Sequence, residues 1–153
     1  MVITPQPREL TPADSSADEP LALADAVRRL HGQVTDVRVP SEPQEADIVG
    51  TRDAAAEADI AIVVTLATNV QPSQARLVEA VLESGTPTVT VAMRTPYDLA
   101  DYPASATHLC ADSIVPASVG AVADALFGRE PISGYLPVDI PGLYPRGHGL
   151  EVV

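Results

Sequence analysis

The chain has 153 residues, of which 46% are hydrophobic and 20% are charged, and its formal net charge is −12 with no lysine. This composition is typical of one folded domain and excludes a largely disordered chain. The negative charge argues against nucleic acids and anionic membranes as partners, because both bind basic surfaces.

The first third of the chain alternates strand and helix patterns. Residues 2–4 predict a short strand, and residues 8–20 are polar and proline-rich, as in a loop. Apolar residues at helical spacing predict a helix over residues 21–31. A second strand follows over residues 34–39, and the alanine-rich residues 45–58 predict a second helix.

Two nearly unbroken apolar runs mark the middle of the chain. Residues 59–65 (DIAIVVT) and 86–93 (TPTVTVAM) have the pattern of parallel strands that are covered on both faces, and we predict that they are adjacent central strands. Between them, Pro72 begins a helix that ends at Gly85.

Shorter elements complete the predicted domain. Residues 96–102 predict one turn of helix, residues 106–110 a short strand, and residues 116–127 a last helix. The alternation of strands and helices predicts an α/β fold, a three-layer α/β/α sandwich with a mainly parallel sheet, over residues 1–128.

Residues 129–153 contain four prolines and four glycines without a periodic pattern, and we predict an extended tail with few hydrogen bonds of its own. The tail is too apolar for a solvated end, so we expect it to pack on its own domain or on a second subunit. Its apolar residues are Ile132, Leu136, Val138, Ile140, Leu143, Tyr144 and Leu150.

Several segments resemble one enzyme family. They are TPYDLADYP (95–103), PASVGAVADALFGR (116–129) and LPVDIPGLYPRGHGL (136–150), supported by LTPADSSADEP (10–20) and by residues 58–98. Together they are similar to the C-terminal domain of family 3 glycoside hydrolases, in the bacterial β-N-acetylhexosaminidase-like branch. Two loops depart from the family pattern. Leu66-Ala67 stands where a glycine is frequent, and Ala111-Asp112 stands where a Thr-Tyr pair is usual.

The resemblance implies a domain that accompanies a catalytic barrel. In that family the barrel binds the sugar and supplies the nucleophilic aspartate and a His–Asp acid/base pair. A barrel of this kind needs about 250 residues, so the resemblance assigns no catalytic residue to this sequence. We expect a non-catalytic domain that supports a barrel or forms a wall of its sugar site. The alternative is a stand-alone binding module that kept the fold and lost the activity.

Ligands of open parallel sheets bind at the carboxyl ends of the strands. The loops at residues 65–69, 94–98 and 111–113 leave three such ends. They carry our candidates for binding a substrate or a partner, which are Asn69, Arg94, Tyr97, Asp98, Asp112 and Ser113.

Each candidate also has a structural interpretation. Asp98 and Asp112 could form the carboxyl pair of a glycosidase, or Asp98 could cap the short helix while Asp112 is a solvated loop residue. Arg94 could bind a sugar or a barrel loop, or form a local ion pair with Asp98. Tyr97 could stack on a sugar or pack against the protein.

The remaining reactive side chains give no metal or cofactor motif. The lone Cys110 excludes an internal disulfide, and His31, His108 and His148 lack metal-ligand spacing, so we expect no metal and no cofactor.

No apolar run could span a bilayer, and residues 1–20 lack a signal-peptide layout, so we expect a cytoplasmic location. The expected partners are a barrel domain or subunit and, through the tail, a second copy. A sugar would bind only where a partner completes the site.

Overall fold

The computed structural model describes residues 1–9 and 21–150. Most of the predicted loop at residues 8–20, the whole 10–20 segment of the resemblance and residues 151–153 lie outside this part of the chain. The described residues form a five-stranded parallel sheet in the order β2-β1-β3-β4-β5. Its strands are β1 (Val2–Pro5), β2 (Asp36–Val39), β3 (Ala61–Thr65), β4 (Thr88–Ala92) and β5 (His108–Cys110).

The centre of the sheet follows the apolar runs of the sequence. All five residues of β3 are buried, as a strand covered on both faces requires. β3 pairs with β4 in register from Ala61 opposite Thr88 to Thr65 opposite Ala92. The prediction that these two strands are neighbours is confirmed.

Helices cover both faces of the sheet. They are α1 (Leu23–Arg28), α2 (Glu45–Ala56), α3 (Ser73–Glu83) and α4 (Pro116–Leu126), and a 3₁₀ helix spans Pro96–Asp101. The helices are one to several residues shorter than predicted, because their C-terminal residues form turns with three-residue hydrogen bonds, such as Leu30 to Val27, Ala58 to Ala55 and Gly85 to Leu82. No helix in the described ranges has the length and hydrophobicity to cross a bilayer.

Two separate cores give the sandwich its three layers. The α1/α4 core joins one face of the sheet to these two helices and contains Val2, Leu23, Val64, Val91, Met93 and Val119. The α2/α3 core lies on the other face and contains Ile3, Ile48, Val63, Val78, Leu99, Tyr102 and Ile140. The predicted α/β/α architecture is confirmed.

The strand order places a reversal at the centre of the sheet. The chain passes from β1 outward to β2, and then returns to β3 and proceeds through β4 to β5 on the other side. The carboxyl ends of β1 and β3 therefore flank a switch point, the usual position of a ligand crevice in an open parallel sheet.

The tail folds back on itself and is not extended throughout. Leu136 accepts a hydrogen bond from the amide of Gly147 at 2.9 Å and donates one to the carbonyl of His148 at 2.8 Å. Ile140 and Tyr144 form a reciprocal antiparallel bridge. We name residues 136–148 the tail loop. Its few main-chain hydrogen bonds close this loop within the tail that we expected to be extended.

The tail loop also joins the domain core. Ile140 is only 2% exposed and belongs to the α2/α3 core, against which Leu136 also packs. Because α4 packs in the α1/α4 core on the opposite face, the chain changes faces between α4 and Ile140.

Candidate functional site

The candidate residues lie on three neighbouring loops at the carboxyl edge of the sheet. Because β3, β4 and β5 are consecutive in the sheet, the loops that follow them lie side by side. Asn69, Tyr97 and Asp112 are exposed there, and Arg94 and Ser113 are partly exposed. Asp98 differs from the others, since it is only 1% exposed.

Asp98 is the centre of a buried hydrogen-bond network. The Thr65 hydroxyl donates to its Oδ2 at 2.6 Å. The main-chain amides of Ala67 and Thr68 donate to Oδ2 and Oδ1 at 3.2 and 3.0 Å. This carboxylate therefore joins the 3₁₀ helix after β4 to the loop between β3 and α3.

These contacts decide between the interpretations of Asp98. The residue that caps the 3₁₀ helix is Thr95, whose hydroxyl accepts from the amide of Tyr97 at 3.4 Å, so the expected capping role of Asp98 is wrong. Donors of β3 and the β3–α3 loop occupy the Asp98 carboxylate, which was one of the two partners that we considered for Arg94. Burial raises the pKa of the Asp98 carboxyl, and the hydrogen bonds from Thr65, Thr68 and Ala67 partly oppose that rise. With both oxygens engaged inside the protein, Asp98 cannot meet a substrate in this conformation.

The network extends to two further residues of the 3₁₀ segment. The Thr65 hydroxyl, which gives its single hydrogen to Asp98, is 2.9 Å from the Tyr102 hydroxyl, so Tyr102 is the donor of that pair. The Thr68 hydroxyl donates to Asp101 at 2.6 Å. Burial raises the pKa of Tyr102 far above its ordinary value, which keeps the phenol protonated as a donor.

The β3–α3 loop has a main-chain conformation that usually requires glycine. Ala67 has φ of +82°, a region that residues with a Cβ rarely adopt. This is the position at which the resemblance led us to expect a glycine. The chain keeps the glycine-type conformation without the glycine.

Arg94 connects β4 with the loop after β1. Its guanidinium donates to the main-chain carbonyl of Arg8 at 3.1 Å, and Arg8 forms an ion pair with Glu42 beyond β2. Arg94 therefore reaches across the carboxyl end of β3 toward the switch point.

The loop after β5 presents Asp112 and Ser113. Asp112 is the second described non-glycine residue with positive φ, at +52°. Partial burial raises its carboxyl pKa. The Ser113 hydroxyl accepts from the amide of Val115 at 3.4 Å, at the N-terminus of α4.

Sequence reasoning missed two apolar residues at this edge. Val70 is 55% exposed and Val115 is 53% exposed, and Tyr97 in the loop after β4 is 44% exposed. The available signal was that each valine stands in a loop after a strand, outside any apolar periodicity. We call Asn69, Val70, Arg94, Tyr97, Asp112, Ser113 and Val115 the carboxyl-edge patch.

Burial perturbs two other titratable groups near β5. His108 Nδ1 is 2.8 Å from the Thr90 hydroxyl, and burial lowers the pKa of the imidazole to about 4. Burial, with the nearby Asp112 and Asp98, raises the pKa of the Cys110 thiol to about 12, so it is not a thiolate nucleophile at neutral pH. Within residues 1–9 and 21–150 no group of three His, Cys, Asp or Glu side chains is placed to hold a metal.

A surface cleft of about 200 Å³ lies elsewhere, between α2 and α3. Its walls carry both signs of charge, and Arg76 and Glu45 form an ion pair there. The cleft is on an outer helical face and contains none of the candidate residues.

Two solved structures share this fold over nearly the whole described chain. One is a glycoside hydrolase family 3 β-N-acetylglucosaminidase from Paenibacillus sp. str. FPU-7, with a TM-score of 0.79, 22% identity and 91% of this chain matched to 27% of that one. The other is a fungal multi-domain family 3 β-N-acetylglucosaminidase with a GCN5-related glucosamine N-acetyltransferase region. Its TM-score is 0.78 at 19% identity, and 97% of this chain matches 16% of it.

The likeness confirms the predicted resemblance at the level of the fold. The sequence itself matches no protein-family model and no curated protein. The chain spans only 27% and 16% of the two enzymes, so it corresponds to one part of each.

Proposed function

We propose that this chain is the non-catalytic C-terminal domain of a family 3-type glycoside hydrolase, of the β-N-acetylhexosaminidase-like kind. It supports a barrel active site or forms one wall of it, and the barrel is supplied by another domain or chain. The observation that carries the proposal is the match of 91% and 97% of this chain to a minor part of two β-N-acetylglucosaminidases.

The carboxyl groups at the carboxyl edge favour a non-catalytic role. Glycosidases place two carboxyl groups on either side of the scissile bond. Here Asp98 is buried and both of its carboxylate oxygens accept hydrogen bonds from the protein. Asp98 and Asp112 therefore do not form such a catalytic pair. A buried carboxylate that organises a loop supports a structural domain over an independent hydrolase.

The carboxyl-edge patch is the surface we assign to the barrel. It combines exposed apolar side chains, Val70, Tyr97 and Val115, with the polar Asn69 and Asp112. A surface that mixes exposed apolar side chains with polar ones is typical of interfaces between domains. Arg94 and Ser113 would then reach a sugar only where the barrel completes the site.

Activity assays on the isolated chain and on the chain with its barrel test the proposal. The isolated chain should not hydrolyse p-nitrophenyl N-acetyl-β-D-glucosaminide. The family 3 barrel of the same genome should bind this chain and gain stability or activity from it. Turnover by the isolated chain that disappears in Asp112→Asn would overturn the proposal.

Matched surface variants test the assignment of the patch. Tyr97→Ser combined with Val115→Ser should weaken barrel binding by tenfold or more, as expected for central interface residues. Ile60→Ser is the control, because Ile60 is 53% exposed at the opposite end of β3. Equal losses in both variants would mean that the carboxyl edge is not the contact surface.

The tail loop favours a second candidate, a stand-alone interaction module that associates with a second copy. Tyr135, Leu143, Tyr144 and Leu150 are all at least 39% exposed in or beside this loop. Deletion of residues 131–153 should abolish dimerisation in sedimentation experiments or cause aggregation. A truncated chain of unchanged stability and assembly mass would refute this alternative.

A further inference from the structure

The contacts of Asp98 have the form of a bound anion. Two consecutive main-chain amides, those of Ala67 and Thr68, point at the two oxygens of one carboxylate, at 3.2 and 3.0 Å. Successive amides of this kind form concave sites that bind phosphates and carboxylates in other proteins. The site lies after β3, beside the switch point of the sheet and ahead of α3. In this chain the anion is one of its own side chains.

The same two amides belong to the loop with the unusual main-chain conformation. Ala67 holds φ at +82° although it has a Cβ, and such conformations persist only where surrounding contacts enforce them. Asp98 and the buried Gln74 supply these contacts, since the Gln74 Oε1 accepts from the amide of Leu66 at 2.7 Å. The next residues of this loop, Asn69 and Val70, are exposed at the carboxyl edge.

We infer that Asp98 is an internal anion that locks the β3–α3 loop, and that its removal opens a site for a small external carboxylate. The lock holds Ala67 in its left-handed conformation and so presents Asn69 and Val70 at the surface. This role goes beyond the proposed function, because it concerns the chain itself and holds whether or not a barrel binds.

The chemistry of the site explains why a carboxylate is needed. An Asn side chain would place its NH₂ group against one of the two main-chain amides, so that two donors would face each other. Charged or titratable groups near Asp98 include Asp101, Tyr102 and Cys110. Tyr102 and Cys110 stay neutral at pH 7, and Asp101 accepts from the Thr68 hydroxyl. The hydrogen bonds that hold the loop on the buried carboxylate therefore come from neutral donors, the Thr65 hydroxyl and the main-chain amides.

A thermal double-mutant cycle tests the lock. Ala67→Gly should raise the Tm of the wild-type chain by about 3 °C, because it removes the cost of a Cβ at positive φ. In an Asp98→Asn background the same change should raise the Tm much less, because the released loop no longer holds residue 67 in that conformation. Equal shifts in the two backgrounds would refute the lock.

Asp112 provides the matched control, since it has φ of +52° in a different loop. Asp112→Gly should shift the Tm equally with and without Asp98. If Asp98→Asn does not fold, Thr65→Val replaces it in the cycle, because it removes one donor to the same carboxylate at nearly constant shape, together with the acceptor of the Tyr102 hydroxyl. A smaller coupling of the same sign is then expected, and additivity would count against the inference.

Sodium formate probes the opened site directly. In Asp98→Ala, rising formate at constant ionic strength should raise the Tm and slow amide exchange at residues 67 and 68. Chloride at the same ionic strength should not, and the wild-type chain should show no formate effect. If formate and chloride act alike on Asp98→Ala, no anion site has been opened and this part of the inference is wrong.

Discussion

Lowering the pH from neutral toward 4 should destabilise the folded chain through His108. The imidazole lies on β5 with Nδ1 at 2.8 Å from the Thr90 hydroxyl, and its ring contacts Tyr102 edge-on at 5.9 Å between centroids. Its Nε2 atom is buried without a hydrogen-bond partner in the described residues. Burial lowers the pKa of this group from 6.5 to about 4, so the fold favours the neutral ring.

The sign and size follow from proton linkage. The unfolded chain binds a proton at His108 near pH 6.5 and the folded chain only near pH 4, so protons favour the unfolded state between these values. The stabilisation is complete above pH 6.5 and is lost as the pH falls toward 4. Each pKa unit corresponds to about 1.4 kcal/mol, so the loss in the free energy of unfolding is roughly 3 kcal/mol.

Asp98 acts in the opposite direction. Burial raises the pKa of its carboxyl, so the folded chain takes up that proton more readily than the unfolded chain does. Its contribution to stability therefore grows as the pH falls through the raised pKa, and it partly masks the effect of His108 in the wild-type chain. A variant that removes only the histidine titration separates the two groups.

The assay is urea unfolding at a series of pH values between 8 and 4. His108→Asn should lose about 3 kcal/mol less than the wild-type chain over this range. His31→Asn is the control, because His31 is exposed at the end of α1 and its replacement should leave the acid loss intact. If the wild-type and His108→Asn curves remain parallel, burial of a neutral imidazole at position 108 is not the source of acid sensitivity.

Three further outcomes are expected. Ile140→Ala should lower the free energy of unfolding by about 2–4 kcal/mol in a urea titration, because Ile140 is buried in the α2/α3 core. In the same titration Leu143→Ala, on the exposed side of the tail loop, should change the free energy of unfolding by less than about 1 kcal/mol. Cys110 should react with a thiol reagent at pH 8 many times more slowly than in urea, because its folded pKa is about 12; equal rates would refute that burial. Amide exchange should be slowest in β3 and β4. Slower exchange anywhere in the tail would contradict the central position of these strands.

The sequence predicted the sheet well because its central strands carry their own signal. Residues 59–65 and 86–93 are long apolar runs rich in β-branched residues, and no competing helical period occurs in them. The predicted ends of elements were less accurate, as in the β5 region, where residues 106–110 shorten to His108–Cys110. A strand ends where its ladder of hydrogen bonds ends, and β4 supplies only three partners there.

The buried role of Asp98 could not be predicted, because its partners are distant in sequence. Thr65, Ala67 and Thr68 lie 30 to 33 positions earlier, and no local pattern records that they meet. The local rule for an aspartate near a short helix is capping, and Thr95 fulfils it here. The same limit applies to the tail loop, whose closure depends on pairings such as Leu136 with Gly147.

The change of faces between α4 and Ile140 sets an order for synthesis. A nascent chain can assemble the α1/α4 core once α4 has left the ribosome, since the buried members of that core end at Ala123. The α2/α3 core is incomplete until Ile140 has emerged. Until then the α2/α3 core lacks one of its buried side chains, so a chaperone would bind the nascent chain in this interval and a chain truncated before residue 140 would be prone to aggregate.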